Sequence, residues 1–594
     1  MNKIIVLVFV LILTILTLPY SSNLENYTYA VVISETAYND AGWKAVADSL
    51  LKKHNRTESR LITWKTSINE VKTDLASFMP TYTGFIARPV IECNSSFIAS
   101  VSQLTRNLDT DPYGDCFWGV ITGYQASDAL RAISESLLIK TTVLASGGIN
   151  YEPPLQRYYQ AVGLPCDSYS KTDYLFANTN GRVYSTQQRP DNQRDRSKLM
   201  AKWLNAQSIE LSVSGKGSIT GSVDCLITGG HGNVNSWQMH YNNPGTEGYL
   251  VSSNGQIFSK PYSGNSIAIN SPKPKVFWHV SNCLMGSPDN RNNWVYAVFH
   301  TGHAVQMFGF IPEASIGDEF MAWGLFDRVT KFAGKYTLPQ GHFITNNCAQ
   351  FELRHPTGFF HKIGVQRYMN STVVYGDPAA DVNFLDMGDS SRVYAENFTY
   401  STNSSGISTF EYSVTALAHT IEFGKGYCYQ LRPVYFMPVR INPSTVSIIQ
   451  NDGSTAEITD NLVLWEMLNS GKSLKKGSTK KLIWTAKIIG ETTHTSDFFK
   501  PDNSNRFFVI AVSEKTIIIK TNTIPVGKSK LFVNDISGKL ILKRDFYSDG
   551  SRYKTIINRK DITPGFYVVT LKLKTNTIVK YFFSIDSSTA MLYF

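Results

Sequence analysis

The sequence predicts an α/β domain with a largely parallel sheet, followed by all-β sandwich modules. Over roughly the first 380 residues, short apolar runs of strand length alternate with amphipathic helical stretches, the pattern of βαβ units. After "VVYGDPAADVNFLD" (373–386) the helical period disappears, and apolar and polar residues alternate between short turns. The chain has 594 residues with 42% hydrophobic and 18% charged, enough material for several cores. At roughly 100–200 residues per domain, it divides into three or four units.

The elements follow in order. "MNKIIVLVFVLILTILTLPYSS" has one lysine before an apolar run from Ile4 to Leu18, then Pro19 and small polar residues. A run of that length is short for a membrane span and reads as a signal peptide over 1–22. "YTYAVVISE" is a strand, and "GWKAVADSLLKKHN" a helix with Ala45, Ala47, Leu50 and Leu51 on one face. "SRLITWK" and "INEVKTDLASFM" repeat the strand–helix pair. "FWGVITGY" precedes "SDALRAISESL", where Ser127 suits an N-cap. These make an α/β subdomain over 23–136. A second, over 137–386, holds the buried strands "TTVLASGG", "VDCLITGG", "KVFWHVSN" and "HAVQMFGF", with helices "NWVYAVFHTG" and "GDEFMAWGLFDRVTKFAG". Residues 387–500 read as a β-sandwich in which "KSLKKGSTKK" is a solvated loop, and 505–594 as a second sandwich of short strands.

Net charge is +10 but scattered, so no nucleic-acid surface is expected, and no later segment has the ~20 apolar residues of a membrane span. The seven cysteines lack a CxxC pair, which argues against a zinc ribbon, and their odd number leaves at least one thiol unpaired within the chain.

Two of the apolar runs end on reactive side chains. "CLITGGHGN" stops at His231 and "KVFWHVSNCLMGS" at Cys283. In an α/β sheet ligands bind where the carboxyl ends of strands meet the loops. An imidazole and a thiol at neighbouring strand ends make a general base and a nucleophile. Glycines around His231 let the backbone approach a ligand, and the amides of Gly232 and Cys283, the latter at a helix start, could form an oxyanion hole. Two other readings stay open: an inert buried cysteine beside a structural histidine, and a metal site drawn from His231, His240, His279, Cys283, His300 and His303, with "HTGH" as an i,i+3 pair. His279 and Cys283 share one strand on this reading, facing the same side but far apart along it.

The arrangement strand–HG–spacer–strand–small-polar–Cys resembles the cysteine peptidase clan of caspases, legumains, clostripains and gingipains. The gap from His231 to Cys283 is 52 residues, near the caspase spacing of about 50. The caspase pentapeptide is absent, and the stronger likeness is to the gingipain-type family. "DPYGDCFWGVITGYQASDALRAI", "GGHGNVNSW", "HAVQMFGFIPEASIGDEFMAWGLF" and "YGDPAADVNF" carry it across roughly residues 25–385. The resemblance implies a caspase-like catalytic domain of two subdomains and hydrolysis of peptide bonds through a thioester. His231 would be the base, Cys283 the nucleophile, and the Gly232 and Cys283 amides the oxyanion donors. It implies a carboxylate behind the histidine, for which Asp115 and Asp128 are the candidates, although Asp128 equally suits a helix first turn. It places the specificity pocket at 311–318, with Glu313 or Asp318 able to select a basic side chain. No metal is required for catalysis, and structural calcium is compatible with the family.

"IPVGKSKLFVNDISGKLILKRDF" and "ITPGFYVVTLKLKTNTIVKYFFSI" resemble the immunoglobulin-like sorting domain of the type IX secretion system, with a D-x-x-G-K hairpin at Asp535–Lys539 and a PGxY turn at Pro564–Tyr567. That resemblance implies secretion machinery as a partner and a secreted or cell-surface location. The alternative to a peptidase is a catalytically inactive adhesion or binding protein on the same fold, and a further one is a metal-dependent hydrolase.

Overall fold

A computed structural model describes residues 27–489 except 56, 148–159, 167–174, 180–181, 187–194, 207–208, 214–216, 239–247, 281, 315–323, 326, 333, 357–361, 387, 389–391 and 425–431, together with eight strands between 508 and 593. The expected signal peptide, His240, Asp318 and half of the helix expected over 317–334 lie outside the described residues. The chain divides into two compact units, 1–502 and 503–594.

The first unit is built on one mixed sheet of twelve strands. Across it the order is Glu58–Trp64, Thr28–Ser34, Tyr82–Ile86, Phe117–Ile121, Thr372–Tyr375, Ala304–Phe310, Lys275–His279, Cys225–Thr228, Thr141–Gly147, Gln160–Cys166, Leu175–Thr179 and Arg182–Thr186. The first five strands are mutually parallel. The five from Ala304–Phe310 to Gln160–Cys166 are also parallel to one another. The two sets meet antiparallel, with Met307 opposite Tyr375. The last two strands are antiparallel additions.

Both faces of this sheet are covered, which is why its central strands are continuous apolar runs instead of alternating ones. Tyr29, Val31, Ile33, Val276 and Trp278 enter one core, while Ala30, Val32 and Phe277 enter the other. The helix Ala41–Lys53 starts at Asp40, whose carboxylate accepts from the Gly42 and Trp43 amides. Its buried face is Trp43, Val46, Ala47 and Leu50; Ala45 and Leu51 are half-buried at its edges. The expected stripe is therefore turned by about a residue, because the large indole of Trp43 claims the core side. The helix Ala126–Ser134 is capped by Gln125 instead of Ser127, and Asp128 closes the box by accepting from the Gln125 amide at 3.0 Å.

A β-sandwich continues one of the two cores. Its four-stranded sheet is Tyr394–Thr402, Ile407–Ala416, Thr479–Ile488 and Ile441–Asn451, facing a three-stranded sheet of Val434–Phe436, Leu462–Trp465 and Ala456–Ile458. Thr479–Lys481, expected as loop, begins a sandwich strand. Phe117 of the large sheet packs on Phe343 and on Phe436 of the sandwich, with ring centroids 4.7 and 4.9 Å apart. Beside this contact, the fully buried Arg432 donates to Glu466 at 2.6 and 2.9 Å, reaches Glu352 at 3.4 Å, and lies over the Phe351 ring. Its carbonyl accepts from Arg328, whose other nitrogen donates to Tyr394. Two carboxylates and two guanidinium groups are thus withdrawn from water together, which is tolerable only while each keeps its partners.

In the second unit, strands 508–512, 516–521 and 554–558 form one antiparallel sheet, and 540–548, 527–535, 565–572, 578–585 and 590–593 a second. Asp535 pairs with Tyr567, while residues 536–539 and Pro564 of the two expected turns lie outside the described residues. Among the described residues, no helix is long and apolar enough to cross a membrane.

Arg432→Met leaves Glu466 and Glu352 buried without their cation, so unfolding free energy should fall by about 3–5 kcal/mol. Lys44→Met, which removes the exposed pair with Asp48, should leave the denaturation midpoint unchanged within error. Urea titration of the two variants checks the contrast.

Candidate active site

Pairing in the large sheet brings the two reactive segments together. Cys225–Thr228 and Lys275–His279 run parallel with Thr228 opposite His279, and Val280 extends the ladder by donating to the Thr228 carbonyl at 3.0 Å. Both chains then leave the same edge within a few residues. The first turns at Gly230, whose φ of +106° suits glycine, and continues through His231 into a hairpin of Gly232–Asn233 with Ser236–Gln238. The His231 carbonyl accepts from the Gln238 amide at 3.1 Å, so the residue sits at the root of the hairpin. His231 is exposed.

The second chain does not continue as strand. Lys275–His279 ends four residues before Cys283, which opens a turn over Cys283–Gly286; the next helix is Trp294–His300. This corrects two expectations: Cys283 is not on the strand with His279, and its amide does not start a helix. The turn is held on the end of Ala304–Phe310 by Leu284 N–H to the Pro312 carbonyl (3.0 Å) and Gly286 N–H to the Phe310 carbonyl (2.7 Å), with Tyr375 donating to the Gly286 carbonyl (2.6 Å). These bonds keep Leu284 at φ +61°, a conformation costing a non-glycine residue about 1 kcal/mol or more.

The two loops touch at Gly232. A Cβ there would fall 2.6 Å from the Cys283 carbonyl oxygen and 2.7 Å from Met285 Cγ, so only glycine permits this approach. Cys283 is half-buried, and its sulfur accepts from the Ala314 amide at 3.3 Å. Cys93, Cys116, Cys225 and Cys348 are buried thiols. Burial pushes Cys93 and Cys116 up to about 12, and raises Cys225 and Cys348 as well. Thiols so held are inert, which sets Cys283 apart.

Behind the loops, Trp294 Nε1 donates to His279 Nε2 at 2.7 Å, and His279 Nδ1 is 2.6 Å from Thr228 Oγ1. Thr228 donates to Asn282 Oδ1 at 2.6 Å, and Asn282 Nδ2 donates to the Gly230 carbonyl at 2.9 Å. Burial pushes His279 down to about 3, so it is neutral and serves here as a hydrogen-bonding group. Thr228, Asn282 and Trp294 carried no signal in the sequence beyond adjacency: Asn282 precedes Cys283, and Thr228 ends the strand before the histidine loop.

Of the remaining candidates, Asp115 and Asp128 are held by other partners, while Glu313 lies between Pro312 and Ala314, which both bond to the cysteine turn. Asp115 precedes Phe117–Ile121, separated from Cys225–Thr228 by three strands. Its carboxylate accepts from the Leu108 amide at 3.2 Å, and its carbonyl from Asn461 and Arg440 of the sandwich. Asp128 caps its helix and pairs with His300 at 3.0 Å. His303 pairs separately with Glu135 at 2.8 Å, so the two histidines of "HTGH" serve different carboxylates. Glu313 is exposed, and its carbonyl accepts from Arg367.

Among the described residues, Asp109, Asp115 and Asp460 bring carboxylate oxygens within 4.8 Å of one another. An all-oxygen set of this kind suits a hard cation such as calcium. Burial and then the Asp109 charge push Asp115 up to about 8, against the opposing pull of Arg440; burial also raises Asp460.

No protein-family model and no curated protein sequence matches the chain. Among solved structures it is similar to the Arg-specific cysteine proteinase gingipain R (RgpB), at 11% identity over 94% of this chain and 97% of that one, with a TM-score of 0.37. It is likewise similar to the complex of Porphyromonas gingivalis RgpB pro- and mature domains, at 10% identity over 93% and 99% of the two chains, TM-score 0.35. A DUF3244 protein with an immunoglobulin-like sandwich from Bacteroides vulgatus matches 14% of this chain and 87% of its own at 12% identity, TM-score 0.13. At these values function has to be argued from the residues themselves.

An acid whose folded pKa is raised to about 8 from about 3.9 when unfolded keeps its proton in the fold and loses it in the unfolded chain over that window. Stability is therefore full below about pH 4 and declines as pH rises, by on the order of 3 kcal/mol between pH 5 and pH 8 for Asp115 alone. Asp115→Asn should flatten that decline in chemical denaturation at the two pH values. Calcium that flattens it in the unaltered chain would mean that the three carboxylates ligate the ion.

Proposed function

We propose that the protein is a cysteine endopeptidase using Cys283 as nucleophile and His231 as general base. The observation that carries this reading is the contact at Gly232, which packs the backbone of the histidine loop directly on the Cys283 carbonyl. The other four thiols with described side chains are buried, while Cys283 is half-buried and His231, on the loop that touches the cysteine turn at Gly232, is exposed.

On this reading His231 takes the Cys283 proton as the sulfur attacks the carbonyl carbon of the scissile bond. The carbonyl π pair moves to oxygen, and the resulting oxyanion is met by backbone N–H groups, with Gly232 and Cys283 the candidates. Collapse expels the amine, which takes the proton from the imidazolium, and leaves a thioester on Cys283. Water, deprotonated by His231, then hydrolyses the thioester and regenerates the thiol. Neither Asp115 nor Asp128 enters the scheme, because each is committed to other partners. The exposed Glu313 offers no buried charge for a basic side chain, and Asp318, the other candidate in the pocket expected at 311–318, lies outside the described residues.

Cys283→Ala and His231→Ala should each lower peptide turnover by at least about a thousandfold, with the circular dichroism spectrum and melting temperature retained. Turnover that survives Cys283→Ala contradicts the assignment. Activity lost to a chelator and restored by zinc would indicate the metal-dependent alternative.

A further inference from the structure

The strands under the two loops contain a chain of four hydrogen bonds whose direction is determined at every link. Trp294 Nε1–H can only donate, so His279 Nε2, 2.7 Å away, accepts. Acceptance at Nε2 places the proton of the neutral ring on Nδ1, which faces Thr228 Oγ1 at 2.6 Å and donates to it. The Thr228 hydroxyl has then filled an acceptor position, and its own proton goes to Asn282 Oδ1 at 2.6 Å. With its oxygen accepting, the Asn282 amide presents N–H to the Gly230 carbonyl at 2.9 Å. His279, Thr228 and Asn282 are buried, so water does not compete for these groups.

The two ends of this chain matter most. Asn282 immediately precedes Cys283, and Gly230 immediately precedes His231. Thr228 ends one strand, and His279 ends its neighbour. The relay therefore ties the cysteine turn to the histidine loop through side chains, one residue back from each reactive group. The Trp237 indole also reaches the neighbouring Gly229 carbonyl, at a longer 3.4 Å, so the relay supplies the shorter side-chain bond to a turn in which glycine has wide freedom.

We infer that Thr228, Asn282 and His279 are positioning residues that set the His231 imidazole against the Cys283 thiol through the Gly230 carbonyl. The inference rests on the Cys283–His231 reading. Its test is the rate at which iodoacetamide alkylates Cys283 at pH 6.5 in the full chain, read by peptide mass spectrometry, since this needs no peptide substrate. Displacing one reacting group by about an ångström costs up to roughly a hundredfold. Thr228→Val, which keeps the shape and removes the hydroxyl, should slow alkylation by about tenfold or more; Thr228→Ser should recover the wild-type rate to within about threefold. Asn282→Ala should slow it as much as Thr228→Val, and the double variant no more than either, because the links act as one unit. Once a peptide substrate is in hand, the same variants should lose kcat with KM nearly unchanged.

A wild-type rate in Thr228→Val, a Thr228→Ser rate as low as that of the valine variant, or multiplicative losses in the double variant would each overturn the inference. The His231→Ala arm separates the two levels. If that variant is slowed and Thr228→Val is not, the relay fails and the dyad stands. If neither is slowed, the dyad reading fails and the relay falls with it.

Discussion

The site depends on one pairing, the parallel alignment of Cys225–Thr228 with Lys275–His279 that places Thr228 opposite His279. Parallel strands carried in one direction end at one edge, and here both end within four residues of a reactive side chain. A shift of two residues in this register would carry one loop about 7 Å past the other, beyond any contact between Gly232 and Cys283. A one-residue shift is excluded more strongly. It would turn Val276 and Trp278, buried in one core, toward the side where Phe277 packs in the other.

Everything nearer the chemistry elaborates that alignment. The turn at Cys283 is held by two hydrogen bonds to the end of the adjacent strand and one from Tyr375 on the strand beyond it, and Leu284 sits in the left-handed region. The histidine loop closes on it where a missing side chain lets backbone meet backbone. The sandwich takes no visible part in this geometry but completes the core beneath it, through Phe436 and the buried Arg432 group. It also reaches the sheet at Asp115, which the sequence had suggested for catalysis. The sandwich residues Arg440, Asp460 and Asn461 lie against Asp115; its burial and the neighbouring Asp109 and Asp460 charges push its pKa upward, while the Arg440 charge pulls the other way.

Much of the fold was legible because buried parallel strands are unusually plain in sequence. "YAVVI", "FWGVI" and "KVFWH" are continuous apolar runs between helical stretches, and each is a strand of the large sheet. Local detail was less legible where two signals competed. At 125–128 a serine and an aspartate both suit the start of a helix, and the reciprocal bond between Gln125 and Asp128 decides it. The end of the Lys275–His279 strand was hidden because "VSNC" could extend it, whereas the bonds of Leu284 and Gly286 to residues 312 and 310 bend the chain away. The relay could not have been read at all: Thr228 and Asn282 are 54 residues apart and share no motif. The same holds for Asp115 and Asp460, which only the docking of the sandwich brings together.

The central claim is that Cys283, served by His231, carries a covalent acyl group. The most direct measurement is acid quenching in the first milliseconds of reaction with an activated peptide ester, followed by peptide mass analysis. The account predicts an acyl mass on the peptide containing Cys283, removed by neutral hydroxylamine as a thioester should be, and absent when His231 is alanine. Turnover of the same ester with no acyl group on Cys283 at any time, or with the group on another residue, would contradict it.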